Sequence, residues 1–348
     1  MKNWEISDEA AKLHRDAFVW DAVFPFFDFH AFSLALTGAQ AGQFDRKYKE
    51  LEKYTDAGCN AIGLTVAGDG TDVSLTMKIL ASTQAFISAN ADRYLLARSV
   101  ADLREASKSG KTALLMNFQG SDSLAGNPDM VEIYYRLGIR WMLLAYNVRT
   151  FAGSGCHERS DDGLSNYGIQ LVREMNRVGM IVDASHTGFR TTMDIFETSE
   201  APVIFSHSNP AALQKHARNI SDEQIDACAQ SGGVIGVVGF DGFLPGQVAT
   251  VEAVVQAIDY LASRVGADHV GLGLDWVYCQ DMFRQILDTN KTAYPTDEKG
   301  GYETAADFFG PEQIPGITEA LLKRGYSEQD IRGILGENWI RVAGQVWK

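Results

Sequence analysis

Two histidines offer the most definite chemistry in this sequence. His186 ends the stretch Val-Asp-Ala-Ser-His, and His207 lies in Phe-Ser-His-Ser. Each follows a short apolar run typical of a buried strand, at residues 180–184 and 202–205, and a helix-like stretch at 190–198 separates the runs. Because parallel strands joined through a helix end side by side, we expect the two imidazoles to meet at one edge of a sheet or barrel. Imidazole is a common zinc ligand, so this edge is a candidate metal site or active site.

Three further residues are candidates for the same edge. Asp275 follows the apolar run 270–274, where a carboxylate can bind a metal or accept a proton from metal-bound water, although a helix cap is the alternative. Arg218 can hold a substrate carboxylate through two hydrogen bonds, although a surface pair with Asp222 explains it nearly as well. The loop at 153–158 offers Glu158 as a ligand or acid–base group, whereas we expect His157 to be a solvated loop residue.

Alternating apolar and amphipathic segments must position these residues. Strands are predicted at 18–23, 61–66, 112–117, 141–144, 180–184, 203–205, 234–238 and 270–274, and helices at 50–57, 74–89, 130–137, 167–178, 190–198, 222–230 and 251–265. Eight strands alternating with helices predict an α/β fold of the (β/α)8 TIM-barrel type, with a doubly wound sheet as the alternative. We predict one domain over residues 1–348, with long loops at 24–49 and 279–315 and a helical tail at 326–348.

Composition narrows the classes of partner. The 348 residues are 45% hydrophobic and 22% charged, and the net charge is -14. Such a chain can bury a large core, while its acidic balance argues against nucleic acid and anionic membranes. The four cysteines are scattered and form no Cys-x-x-Cys pair, and no apolar run is long enough to cross a membrane. These features, with a polar start to the chain, predict a cytoplasmic enzyme.

The sequence resembles the renal (membrane) dipeptidases, a family of metal-dependent peptidases with an amidohydrolase-like barrel. The resemblance lies in residues 174–186, 201–208 and 269–275, in Arg218-Asn219, and in the tail segment 336–341, and it extends from about residue 21 to about residue 342. It implies two zinc ions at the barrel mouth, with His186 and His207 on one of them. It also implies that Asp275 serves the other metal and the catalytic base, that Arg218 grips the substrate, and that the protein is a homodimer.

Several positions depart from the family's pattern. Val23 and Pro25 replace a His-x-Asp pair after the first strand, and neither can bind a cation. Gln119 replaces a glutamate that bridges both metals, and a neutral amide lacks the charge that stabilises two adjacent cations. Tyr146, beside a matching Asn147, replaces a histidine that polarises the substrate. The usual two-zinc site therefore cannot form from these positions.

A rearranged site remains open, in which Glu158, Asp28 or His30 supplies a missing ligand. Tyr146-Asn147 with Glu158 resembles a divergent bacterial dipeptidase-like branch of the family.

We therefore predict a metal-dependent hydrolase with one zinc ion that cleaves a dipeptide or small N-acyl amino acid bearing a free carboxylate. The predicted roles are metal binding by His186, His207 and Asp275, catalysis by Asp275, Tyr146 and Glu158, and substrate binding by Arg218, Asn147 and Gln119. Tyr146 would donate a hydrogen bond to the developing oxyanion. Two alternatives stay open: a metal-free acid–base hydrolase or lyase, and a non-catalytic protein that binds a small molecule.

Overall fold

A computed structural model describes residues 5–25, 46–296, 302 and 307–348. Asp28 and His30, with most of the predicted loop at 24–49, lie outside the described residues. The strands are β1 Trp20–Phe24, β2 Ala61–Gly68, β3 Tyr94–Leu96, β4 Thr112–Gln119, β5 Ile139–Leu143, β6 Ile181–Asp183, β7 Val203–Ile204, β8 Ile235–Val237 and β9 Val270–Leu272.

Eight of these strands form a parallel barrel. They are hydrogen-bonded in the order β7-β6-β5-β4-β2-β1-β9-β8. The circle closes between β7 and β8, where the Phe205 amide donates to the Val234 carbonyl at 3.0 Å and the Gly236 amide donates to the Phe205 carbonyl at 2.7 Å. The predicted (β/α)8 TIM-type fold is confirmed, and the doubly wound alternative is wrong.

Helices occupy most connections between the strands. The described α-helices are Asp8–Asp16, Arg46–Asp56, Val73–Ala89, Val100–Lys108, Met130–Leu137, Asn166–Val178, Phe189–Thr198, Asp222–Gln230, Val251–Val265, Gln280–Thr289, Ile314–Lys323, Glu328–Arg332 and Asn338–Val346, with a π-helical turn at Gly333–Glu337. The helical tail is confirmed. Within the described residues, no helix combines the length and apolar character needed to cross a bilayer.

Two predictions of local structure are wrong in part. The segment 279–315 is not entirely loop, because Gln280–Thr289 is helical with an amphipathic pattern. A ninth strand, β3, was not predicted; it is three residues long and pairs only with β4, outside the barrel circle.

Capping residues set both ends of the helix that leads into β6, the strand before His186. Ser165 caps the helix Asn166–Val178 by accepting a hydrogen bond from the Gly168 amide. The helix ends at Gly179, whose φ of 94° is the left-handed conformation that glycine adopts without strain. The apolar strand β6 follows two residues later, and all three of its residues are buried.

Four tryptophans fill one end of the core. Trp20 packs against Trp141, Trp339 and Trp347 with ring-centroid distances of 6.2–6.3 Å. Trp339 comes from the carboxy-terminal helix and lies against Gly271, where an added Cβ would be 2.6 Å from the indole nitrogen. The polar candidate residues lie at the other end of the barrel, at the carboxyl ends of the strands.

Candidate functional site

The two histidines meet at the carboxyl ends of β6 and β7. His186 has a left-handed backbone conformation with φ of 65°, which is uncommon for a residue with a side chain. Its Nε2 lies 2.8 Å from Nε2 of His207, and the ring centroids are 4.9 Å apart. Both rings are buried, with 5% of His186 and none of His207 exposed.

Asn147 fixes the tautomer of His186. The Asn147 Nδ2 donates to the Ala293 carbonyl at 2.9 Å, which assigns the amide orientation. Its Oδ1 is therefore an acceptor, and it lies 2.7 Å from Nδ1 of His186. Nδ1 must carry the proton, so Nε2 of His186 presents a lone pair.

A buried chain of hydrogen bonds fixes His207 in the same way. Ser206 Oγ donates to Asp183 at 2.5 Å and lies 2.6 Å from Nδ1 of His207. Asp183 also accepts from the backbone amides of Ser185 at 2.9 Å and Ser206 at 3.0 Å. Since the single proton of Ser206 goes to Asp183, its oxygen accepts from Nδ1 of His207. Nε2 of His207 therefore also presents a lone pair.

Two lone pairs that face each other at this distance repel unless a cation lies between or beside them. Burial, with a smaller contribution from the charge of Arg218, lowers the pKa of both His186 and His207 well below the ordinary value, so a shared proton is disfavoured. Metal-binding histidines usually donate their other ring N–H to an outer residue. The pair therefore fits a metal ion, although the described part of the chain holds no group of three or more His, Cys, Asp or Glu side chains placed to bind one.

A cavity of about 360 Å³ opens beside His186. It has polar lining residues at several strand ends and a large aromatic lining. The polar and charged ones are Asp69, Thr71, Gln119, Asp122, Arg149, Thr150, His186, Asp275 and Asn290; the aromatic ones are Tyr146, Phe240, Phe243, Phe283, Tyr294, Tyr302 and Phe308. A concave, mostly apolar space with a few converging polar groups is typical of a small-molecule site.

Asp275 faces this cavity after β9. Its φ is 54°, and its amide donates to the Val23 carbonyl at 3.0 Å. Burial raises the pKa of Asp275 to about 7; the charge of Arg218 opposes the rise and Asp21 adds to it. A carboxyl group that titrates near neutrality is suited to accept and return a proton.

Two tyrosines lie next to the histidine pair. The Tyr146 ring stacks on His186 with a centroid distance of 3.8 Å and an interplanar angle of 24°. The Tyr294 hydroxyl donates to the Tyr146 hydroxyl at 2.9 Å, which leaves the Tyr146 proton free to donate elsewhere. Burial raises the pKa of both phenols, so both stay protonated at neutral pH.

Two predicted site residues and one predicted loop residue have neighbours that the sequence did not indicate. Asn147 is buried behind His186 and is not among the residues that line the cavity. The Glu158 carboxylate accepts from the backbone amides of Arg149 and Arg159, both at 2.9 Å, and does not line the cavity. His157 is half-buried rather than solvated, with Nε2 3.3 Å from the Tyr302 hydroxyl, so the expectation of a solvated residue is wrong.

Arg218 is an interior residue beside the histidine pair. Its guanidinium donates to the His207 carbonyl at 2.8 Å and lies 3.4 Å from Ser208 Oγ. Only 2% of it is exposed, and its Nε has no hydrogen-bond partner among the described residues. The alternative of a surface pair with Asp222 is wrong, because Asp222 instead pairs with Arg264 at 2.9 Å.

The remaining strand ends supply no charged ligand at the positions that depart from the family's pattern. Val23 is fully buried, Pro25 lines the cavity, and Gln119 donates to Thr65 Oγ1 at 3.2 Å.

Sequence reasoning missed Asp69, which lies between two glycines just after β2. Asp69 accepts from the Tyr146 amide at 2.7 Å and the Ser121 amide at 2.9 Å, and burial raises its pKa to about 7. The Gly-Asp-Gly triplet at a strand end was the available signal.

A closed (β/α)8 barrel that directs two oriented imidazoles to one point on its rim has the architecture of the amidohydrolase-like barrels. The membrane dipeptidase family (Peptidase family M19) matches residues 66–296. The chain belongs to this family.

Individual proteins named as dipeptidases or amidohydrolases are also similar to this chain. The chain is 34% identical to dipeptidase tcpJ of Claviceps purpurea (strain 20.1) over 260 residues, 73% of this chain and 56% of the relative. It is 31% identical to dipeptidase verJ of Clonostachys rogersoniana over 273 residues, 78% of this chain and 65% of that one. The chain thus covers less than two thirds of either relative. A crystal structure of an amidohydrolase from Pseudomonas aeruginosa superposes with a TM-score of 0.84 at 31% identity, covering 97% of this chain and 99% of that chain.

Proposed function

We propose that this protein is a metal-dependent hydrolase that cleaves the amide bond of a dipeptide or a small N-acyl amino acid, with one metal ion per site. The observation that carries the proposal is the pair of Nε2 lone pairs, 2.8 Å apart, each fixed by a buried partner on the other ring nitrogen. Membership of the membrane dipeptidase family and relatives named as dipeptidases support the choice of reaction.

His186 and His207 would hold the ion, with Asp275 as the third ligand or as the base. Zinc is the ion that two imidazoles and a carboxylate suit, and when bound it would polarise the amide carbonyl and lower the pKa of its water towards about 7. Replacement of ligands by Val23, Pro25 and Gln119 supports one ion rather than two. We also propose a homodimer, by resemblance to the family.

The protein's own groups would carry the proton transfers. Asp275, with its pKa raised to about 7 by burial, accepts the proton of the attacking water and returns it to the leaving amine. Tyr146 donates to the oxygen of the tetrahedral state, because Tyr294 already fills the acceptor side of its hydroxyl.

Substrate binding would use Arg218 and Gln119. Gln119 lines the cavity, whereas Arg218 does not. The role of Arg218 in binding the substrate carboxylate is proposed from the resemblance to the family and from its unpaired Nε beside the histidine pair. Asn147 is better assigned to orienting His186, and Glu158 to holding the loop at 153–158, than to contacting substrate.

A metal-free acid–base hydrolase or lyase is the second candidate. One observation favours it: the described residues contain no third protein ligand in contact with the histidine pair. In that case the raised pKa of Asp275 and the histidine pair would provide the acid and the base.

Metal analysis joined to activity distinguishes these candidates. Purified protein is dialysed against a strong chelator, divided, and reloaded with zinc, manganese or no metal before incubation with a panel of dipeptides. We expect about one ion per chain and hydrolysis that is lost on chelation and restored by one metal. Protein that binds no metal and hydrolyses the panel equally well after chelation would support the metal-free candidate.

A further inference from the structure

The aromatic side of the cavity forms a continuous surface, of which the proposed chemistry uses only the Tyr294 hydroxyl. We define the aromatic wall as Phe240, Phe243, Phe283, Tyr294, Tyr302 and Phe308, all of which line the cavity. Neighbouring rings are in contact: the centroid distance is 4.6 Å from Phe240 to Phe243, 5.1 Å from Phe240 to Phe308 and 5.5 Å from Phe283 to Phe308. Edge-to-face and tilted packing at such distances stabilises the rings in fixed positions.

The wall begins at the reacting groups. Tyr294 is hydrogen-bonded to Tyr146, which stacks on His186, and the Tyr294 ring is 6.1 Å from Phe283 and 5.3 Å from Tyr302. A substrate with its amide beside His186 therefore has one flank against these rings.

Polar groups line a different part of the cavity. Asp69 follows β2 and Gln119 ends β4, and these strands lie across the barrel circle from β8, which precedes Phe240 and Phe243. Asp122 adds a carboxyl group and Arg149 a guanidinium to the lining, and Asp275 follows β9, the neighbour of β8. The aromatic wall therefore offers a ligand hydrocarbon, and the rest of the lining offers most of the polar atoms.

We propose that the aromatic wall is the subsite for an uncharged, apolar substrate side chain of leucine size or larger, with phenylalanine as the model occupant. This inference rests on the proposed dipeptide hydrolysis and names its substrate class. When such a side chain enters, the apolar ring surface that faces the cavity is removed from water, and this burial favours binding. An acidic side chain is disfavoured there because it would lose hydration against hydrocarbon, and the guanidinium of Arg149, which also lines the cavity, is already paired with Asp162 at 2.7 Å.

The test compares matched dipeptides on metal-loaded protein. The panel is Phe-Gly, Gly-L-Phe and Gly-D-Phe, each set against its alanine and aspartate counterpart, with kcat/KM measured for hydrolysis and Kd by calorimetry. At least one phenylalanine substrate should exceed its alanine counterpart by about tenfold or more in kcat/KM, since one or more methylene groups in an apolar pocket change selectivity by this order. The aspartate counterparts should be the poorest.

Phe283→Ala tests the wall directly. Phe283 is only half-buried, lies on the helix Gln280–Thr289, and has no part in the proposed metal binding or proton transfer. We expect this variant to bring the phenylalanine and alanine substrates within about threefold of each other, mainly by slowing the phenylalanine substrate. Phe151→Ala is the matched control, because Phe151 is 72% exposed and does not line the cavity; its preference should match the wild type. If Phe283→Ala does not fold, Phe283→Leu, with a smaller loss of preference, replaces it.

The outcomes separate the two proposals. Hydrolysis without a preference for phenylalanine, or a preference that Phe283→Ala leaves intact, overturns the aromatic subsite and leaves the hydrolase. No hydrolysis, but tighter binding of phenylalanine dipeptides that Phe283→Ala weakens, overturns the hydrolase and supports the subsite. Equal binding of phenylalanine and alanine dipeptides without hydrolysis overturns both.

Discussion

The rim of the barrel has two halves with opposite character. The histidine half, at the ends of β6 and β7, carries His186 and His207 with their lone pairs converging. The neutral half, at β1 and β4, carries Val23, Pro25 and Gln119. The first offers two oriented nitrogen donors with buried support behind them, and the second offers hydrocarbon and an amide.

The difference shows that a binding residue is only part of a site. Asn147 bonds to the ring of His186, Ser206 bonds to the ring of His207, and Asp183 holds Ser206; all three supporting residues are buried. A fully satisfied buried network of this kind fixes both rotamer and tautomer. The positions of Val23, Pro25 and Gln119 have no equivalent network, and Asp69, which follows β2 between β1 and β4, is already held by the backbone amides of Tyr146 and Ser121.

Removing the histidine half should produce the largest effect. In His186→Ala combined with His207→Ala, we expect stoichiometric metal binding to disappear and kcat/KM to fall to background, because both proposed nitrogen ligands are lost. Elemental analysis and dipeptide hydrolysis measure the two quantities. His269→Gln, at the amino-terminal end of β9, is the control and should retain both. Unchanged metal content in the double variant would contradict the assignment of this half as the metal site.

Weakening the support of one ring should have an intermediate effect. Ser206→Ala removes the oxygen that accepts from Nδ1 of His207 and leaves both metal-facing nitrogens in place. We expect metal affinity to fall by about 10–100-fold, the usual cost of losing an outer partner. Competition with a chromogenic chelator measures it. Ser231→Ala is the control, because the Ser231 hydroxyl donates to the Cys228 carbonyl and lies outside the histidine network. It should leave metal affinity unchanged. An equal loss of affinity in both variants would point to a general structural effect.

Adding metal ligands to the neutral half tests whether the missing ligands limit the site to one ion. Gln119→Glu alone should strengthen metal binding by roughly tenfold or less, because one nearby carboxylate adds attraction without a complete second site. Adding Val23→His and Pro25→Asp should raise the metal content from about one ion towards two. Titration followed by elemental analysis counts the ions. A wild-type protein that already binds two ions would show that the neutral half is not the limiting one.

The smallest expected effect concerns stability. Asp21, on β1 below the neutral half, is fully buried, and burial raises its pKa to about 7 against hydrogen bonds from the Leu274 and Val23 amides. In the unfolded chain an aspartate loses its proton near pH 4, so the folded state holds the proton longer and the free energy of unfolding falls as pH rises from about 4 to about 7.

Asp21→Asn should make that slope shallower in the metal-free protein, because the amide keeps the acceptor oxygen and cannot ionise, while Asp69 and Asp275, whose pKa values burial also raises to about 7, account for the remaining slope. Urea unfolding at a series of pH values measures it, with the exposed Asp92→Asn as the control. A slope equal to that of the wild type would show that Asp21 does not titrate in this range in the folded protein.

The sequence by itself determined the barrel and the meeting of the two histidines. Short apolar runs separated by amphipathic helices leave few alternatives to parallel strands, and parallel strands place their carboxyl ends together. His186 and His207 each follow such a run directly, so their convergence depended only on topology. The sequence alone also showed that Val23, Pro25 and Gln119 cannot replace the family's charged or imidazole ligands. Val23 and Pro25 have no side-chain atom that binds a metal, and the Gln119 amide carries no charge, whatever the fold.

Only the tertiary structure decided what the side chains contact. The partner of His186 is 39 residues away, the wall that flanks it comes largely from the segment 279–315 that was predicted as loop, and Arg218 is held inside by the His207 carbonyl rather than by Asp222. Hydrogen-bond direction, tautomer and the lining of a cavity depend on atoms brought together from distant strands. Local periodicity places a residue on an element but carries no information on which distant group its polar atoms will meet.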